Sequence, residues 1–271
     1  MTDATDLNTG RVIGAGAADD FPVTSARQRA GRFAVEIGQE LRWSFTRPMT
    51  WLTGVGVNLA MSAVWLLWQP LTGRPRADWV VLIGTYFATF VLADVTTTNV
   101  LGPDTTRIRH RLHDGWSIQR VLLVKNFALL TIVGMPTMVI AAVLTVTSHD
   151  SYSLAVTLPS VAFPILVWLG VGDIVSVLLA VRPIPLRQRW NQRRDLPNTL
   201  RWLVHLALPY GLLYLVQPLG GVPRTILHQL ARASRTPGVR GLVLAATATA
   251  IWLLGLLASA YLVRRRGLRI R

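Results

Sequence analysis

Few side chains in this sequence have the type and spacing to do chemistry. Asp94 and Asp173 fall inside long apolar runs, where a charge is costly and therefore marks a possible proton or ion path. Both lie toward the ends of their runs. That position favours structural pairing over proton coupling, which would use a group near the midplane. His110 and His113 stand three apart in HRLH, with Asp114 as the nearest third ligand; a basic helix explains them better than a metal. His205 reads as an interhelical hydrogen-bonding group. There is no GxxxxGK[ST] loop, no HExxH and no GxSxG, and the GAGAA run from Gly14 has no strand before it. Without cysteine, thiolate metal sites and disulfides are excluded. The chain therefore offers no catalytic set, no cofactor site and no metal site of its own.

What remains is a compact charged stretch, NVLGPDTTRIRHRLHDGWSIQRVLLVKN, from Asn99 to Asn126. It gathers Arg107, Arg109, Arg111, Arg120 and Lys125 around Asp104 and Asp114. A helix over 105–114 would set Arg107 and Arg111 on one face, four apart. Asp104 and Thr105 would cap its start, and Gly115 would end it.

The elements that position this stretch follow from composition. Of 271 residues, 51% are hydrophobic and 15% charged, and the mean hydropathy is +0.41. That balance belongs to a membrane protein. Six apolar segments, at about 49–69, 79–100, 121–147, 154–181, 200–219 and 242–263, are each long enough to span a bilayer. Pro136 and Pro164 are the expected kink points. The net charge of +15 would suggest nucleic acid in a soluble protein. Beside apolar segments it is better explained by topology and anionic lipid headgroups, with no nucleic-acid partner. With the N-terminus in the cytosol, inner segments hold 22 of the 28 Lys and Arg residues. Both termini are thus expected inside.

The remaining segments complete an all-α, six-span layout. Residues 1–24 are polar and acidic and read as a disordered cytosolic tail rather than a signal peptide. Residues 25–47, capped by Thr24 or Ser25, read as an amphipathic helix on the membrane interface. Its apolar face would be Phe33, Ile37, Leu41 and Phe45, with Arg32, Glu36, Gln39 and Glu40 turned away. The transmembrane domain then covers 48–265. It includes a cytosolic loop at about 101–120, a basic cytosolic loop at about 182–199 and an outer loop at about 220–241. In that outer loop PRTILHQLARAS would form a short helix, with Leu227 and Leu230 against the bilayer. Residues 266–271 form a basic cytosolic tail.

Two inner stretches carry a resemblance. Asn99 to Asn126 is one; GVGDIVSVLLAVRPIPLRQR, from Gly170 to Arg189, is the other. Together they resemble the permease subunit of a type-2 ABC exporter. Asn99, Gly102, Asp104, Gly115, Ser117 and Lys125 fall where that family's first inner loop places such residues. Gly172, Asp173 and Ser176 match its second motif, with Asp where Asn is usual. The resemblance implies an efflux permease in the cell inner membrane. It would be paired with a second copy or a paralogue and driven by two cytosolic ABC ATPase subunits that bind ATP and Mg. Asp104, Arg107, Arg109, Arg111, Asp114 and Gly115 would then form the ATPase-docking coupling helix. Asn58, Ser62, Thr85, Thr89, Tyr210 and Tyr214 are candidates to line the path, chosen for polarity and span membership. A proton-coupled carrier using Asp94 or Asp173 is the alternative expectation, and a lipid-modifying membrane enzyme a weaker one.

Overall fold

The structure is a computed structural model that describes residues 26–46, 99–102, 104–147, 153–180, 195–197, 199–200, 204, 215 and 221–268. Among these residues every regular element is helical. In chain order they are α1 (Ala26–Ser44), α2 (Thr105–His113), α3 (Ile118–Leu129), a π-helical turn (Leu130–Gly134), α4 (Met135–Thr147), α5 (Leu154–Leu178), α6 (Gly221–Ala233) and α7 (Pro237–Arg266). Three helical stretches are long and apolar enough to cross a bilayer: Ile118–Val143, Leu154–Leu178 and Pro237–Arg266. They correspond to the third, fourth and sixth segments expected from sequence. The first, the second apart from Asn99 and Val100, the fifth apart from Leu200, Val204 and Leu215, and the basic loop at 182–194 lie outside the described residues. The chain is a membrane-embedded, multi-pass helical protein.

The spans show how proline is accommodated. Pro136 has no N–H to donate, and its ring would collide with the carbonyl four residues back. The helix responds with the π turn at Leu130–Gly134 immediately before it, a widening that re-routes the hydrogen-bond ladder. By contrast α5 runs unbroken through both Pro159 and Pro164. Span hydroxyls fold back onto their own helix: Thr137 Oγ1 donates to Val133 O at 2.8 Å, Thr145 to Ala141 O at 2.7 Å and Ser259 to Gly255 O at 2.8 Å. In an apolar medium this satisfies a polar group without a partner helix.

Among the described residues the closest helix pair is α5 with α7. Gly241, Ala248 and Gly255 recur every seven residues on α7 and keep one face narrow. A Cβ on Gly170 of α5 would lie 2.8 Å from the Ile251 carbonyl and 2.8 Å from Trp252 Cα, and a Cβ on Gly255 would run into the backbone of Gly170. At Gly241 the α7 backbone lies directly on the Ala155 carbonyl, the one that Pro159 leaves without a donor four residues on. Bilayer helices gain little from hydrophobicity against lipid, so such small-residue contacts are what hold them. Glycines outside this seam behave differently. Gly38 on α1 has nothing within 4 Å of an added Cβ, so Gly38→Ala is expected to stabilise the protein by about 0.5–1 kcal/mol, read as a small rise in melting temperature.

The segment at 220–241 contains the short helix expected from PRTILHQLARAS. α6 covers Gly221–Ala233 and only residues 234–236 separate it from α7. Arg240 donates from Nε and Nη2 to the Ser234 carbonyl at 2.9 and 2.7 Å, fixing that corner. The expectation that Leu227 lies against the bilayer is corrected. Ile226 and Leu227 pack toward Phe163, Val167, Trp168, Leu244 and Ala248 of α5 and α7.

Candidate functional site

Begin with α1. Its most buried side chains are Glu36, 6% exposed, and Glu40, 2% exposed, whereas Phe45 is 52% exposed. The stripe turned into the protein is Phe33, Glu36, Glu40 and Trp43, at helical spacing. Phe33 meets Phe127 edge-on at 5.6 Å between centroids. The glutamates turn inward because α2 and α3 present cations to them.

Glu40 is the hub. Its Oε1 accepts from Lys125 Nζ at 2.7 Å and its Oε2 from Arg111 Nη1 at 3.0 Å. Arg107 Nη1 approaches Oε2 at 3.2 Å without hydrogen-bond alignment. Asp104 joins through Lys125 Nζ at 3.3 Å and Arg107 Nη1 at 3.6 Å. One turn earlier on α1, Glu36 holds Arg120 by a two-pronged pair, with Arg120 Nε on Oε2 at 3.0 Å and Nη2 on Oε1. Two indoles cover the charges. Trp43 lies under Arg107 at 5.4 Å and Lys125 at 5.1 Å. Trp116 lies under Arg111 at 4.9 Å and Arg120 at 4.6 Å.

Local sequence places these groups. Asp104 sits at the N-cap of α2, but its side chain makes no cap bond. This corrects the capping expectation, since the carboxylate serves Lys125 instead. Thr105 Oγ1 donates to Gly102 O at 2.8 Å. At the other end Gly115 takes φ 81°, so Trp116 N–H reaches Arg111 O at 3.0 Å and Gly115 N–H reaches Leu112 O at 3.2 Å, a Schellman closure. Ser117 Oγ then caps α3 by accepting from Arg120 N–H at 3.2 Å. The turn is short and fully bonded, so α2 and the base of α3 are held as one piece.

The charge environment sets the ionisation of the two central acids. Burial opposes ionisation of Glu40, but Lys125, Arg107 and Arg111 outweigh it and hold the carboxyl below its usual value of 4.5. For Asp104 burial is again the largest influence; with Glu40 nearby it outweighs Lys125 and Arg107, and the carboxyl is raised above 3.8. A depressed carboxyl contributes stability that is present above its unfolded value and lost as pH falls through its folded value. A raised one acts in the opposite sense. Acidification should therefore first protonate Asp104 with no loss of stability. The loss should come below the usual glutamate value, when Glu40 titrates. Melting temperature against pH checks this: Glu40→Gln should remove the acid limb, and Asp104→Asn should leave it.

A second polar contact ties the two resemblance-bearing stretches together. Val100 N–H donates to Ser176 Oγ at 2.9 Å, and Asn126 Nδ2 donates to Asp173 Oδ2 at 2.8 Å. Gly172, Asp173 and Ser176 are all buried. Asp173 thus pairs with an amide, not with arginine.

The remaining site residues sort by exposure. Arg111 is buried and Arg107 half-buried, both turned to Glu40, while Arg109, His110, His113, Asp114 and Gly115 are exposed. Asn99 accepts from Gly102 N–H at 3.2 Å. Asn58, Ser62, Thr85, Thr89, Asp94, Tyr210 and Tyr214 lie outside the described residues. Among the described residues no cluster of His, Asp or Glu could hold a metal ion. Sequence reasoning missed Glu36, Glu40, Trp43, Trp116, Arg120 and Asn126 as site residues. One signal was available: Glu36 and Glu40 are the chain's only glutamates and Lys125 its only lysine, and all three converge here.

Comparison with protein-family models, with curated proteins and with solved structures gave no match.

Proposed function

We propose that this chain is the permease subunit of an ATP-driven exporter in the inner membrane, coupled through α2 to separate cytosolic ABC ATPase subunits. In this reading two ATPase subunits carry ATP and Mg, and a second permease copy or a paralogue completes the path. The observation that carries it is the mechanical character of α2. Its inner face is bolted to α1 by the buried Arg111–Glu40 pair and its N-cap Asp104 to Lys125 at the base of the third span, while Arg109, His110, His113 and Asp114 remain exposed. A push on that face is passed to a membrane span instead of being absorbed in a loop.

Docking and bolting therefore fall on different residues. Arg109→Glu combined with His113→Glu should leave the fold intact and weaken ATPase association by roughly tenfold, the factor equivalent to 1.4 kcal/mol. Transport should fall with it. The check is co-purification with the ATPase and transport in vesicles; unchanged association and transport would sink the docking reading. A proton-coupled carrier is the second reading and draws on the burial of Asp173. Transport that survives loss of every partner ATPase but collapses with the proton gradient would favour it.

A further inference from the structure

Asp173 and Asn126 sit where α5 meets α3, 1% and 0% exposed. The Asn126 amide donates to Asp173 Oδ2 at 2.8 Å. Asp173 Oδ1 and Asn126 Oδ1 are both buried with no hydrogen-bond partner. As a carboxylate, Asp173 would be an acceptor on both oxygens, and the two orphaned atoms would be two acceptors on one hydrogen-bonded pair of groups. Each buried, unsatisfied polar atom costs about 1–3 kcal/mol, and a lone charge in an apolar setting costs far more.

No cation answers that charge among the described residues. On α3 the neighbouring Lys125 is committed to Glu40 and Asp104. Asp173 is the only ionisable residue on α5. The buried face of the inner half of α7 is Gly255, Leu256, Ser259 and Ala260, none of which titrates. Ser176, one turn along α5, accepts from the Val100 N–H.

We propose that Asp173 is a carboxylic acid in the folded protein, and that its proton closes a two-hydrogen-bond ring with the Asn126 amide between α5 and α3. A single proton on Oδ1, donated to Asn126 Oδ1, satisfies both orphaned atoms at once. A carboxylic acid and a primary amide present matching edges: acid O–H to amide O, and amide N–H to acid C=O. The same proton removes the uncompensated charge. The site is thus a membrane-embedded proton-binding site that fastens two spans. It does not depend on what the chain transports. Because the folded protein binds a proton that the unfolded chain releases at neutral pH, the contribution of this pair falls as pH rises.

The test is infrared difference spectroscopy on the full chain in lipid nanodiscs. Wild type minus D173N should show a carboxylic-acid C=O stretch that shifts in deuterated buffer. D173N offers an amide–amide ring, so it should fold. In N126L the acid band should persist but move to higher frequency, because the C=O has lost its donor. The exchanged pair, N126D with D173N, should restore a hydrogen-bonded acid band with the carboxyl now on α3. The absence of any acid band in the wild-type minus D173N difference overturns the proposal, whether Asp173 is then a bare carboxylate or holds a monovalent cation. An unshifted band in N126L overturns the ring.

Discussion

Glu40→Gln should be among the most damaging single substitutions in this protein. The side chain keeps its size but loses the charge on which Lys125, Arg111 and Arg107 converge. Lys125 and Arg111 are 5% and 8% exposed, so neither can turn to water without moving a helix. Removing one partner from a buried ion pair costs about 3–5 kcal/mol, because the remaining charge stays desolvated. With three cations on one acceptor, the upper part of that range applies. For a chain of this size the melting temperature should fall by on the order of 10 °C. α1 should also become more open to proteolysis, since Glu40 and Glu36 are its main polar attachments to α3. Coupling is the sharper readout. In a double-mutant cycle, Lys125→Met should be strongly destabilising alone and much less so beside Glu40→Gln. Equal effects in both backgrounds would mean that the two groups act independently.

Gly255→Leu should damage a different place for a different reason. The contact is backbone on backbone, so even the first carbon of the new side chain meets Gly170. No rotamer relieves that, and α5 and α7 must move apart. Overpacking a close-packed interior costs about 1–3 kcal/mol, and a clash with main chain belongs at the upper end. Separation would also loosen the region around Asp173, three residues from Gly170. Gly255→Ala should show a smaller effect of the same sign. Gly238→Ala is the control, because Gly238 lies on the same helix and an added Cβ there meets nothing within 4 Å. Thermal melts of the variants in one detergent check the ranking. Gly255→Leu melting with wild type would show that the seam does not hold the two spans together.

Both predictions rest on contacts that lie far apart in the chain, and that limits what was legible beforehand. The third, fourth and sixth spans could be read from hydropathy, because a bilayer selects for apolar length irrespective of neighbours. The short helix over 105–113 and its glycine stop could be read from local chemistry, since a left-handed residue is needed where the helix ends. The orientation of α1 could not. Phe33, Ile37, Leu41 and Phe45 make a regular apolar stripe, and a stripe is normally the buried side. The stripe does not reveal that four cations on α2 and α3 draw Glu36 and Glu40 into the protein, where opposite charges attract strongly with water excluded. For the same reason Arg107 and Arg111, which look from spacing like a displayed basic face, serve as internal bolts, leaving Arg109 and His113 outside.

By itself, the sequence determined what depends on local or average properties: a helical membrane chain, the lengths of three of its spans, the position of a glycine-stopped helix just before the third apolar segment, and the absence of a GxxxxGK[ST] motif. Only the tertiary structure decided which charges are paired, which face of α1 is buried, that Gly170 and Gly255 touch, and that Asp173 meets an amide instead of a cation. Helix formation and membrane insertion depend on neighbours within a few turns, whereas ion pairs and helix seams depend on residues some 70 to 85 positions away, whose approach no local pattern encodes.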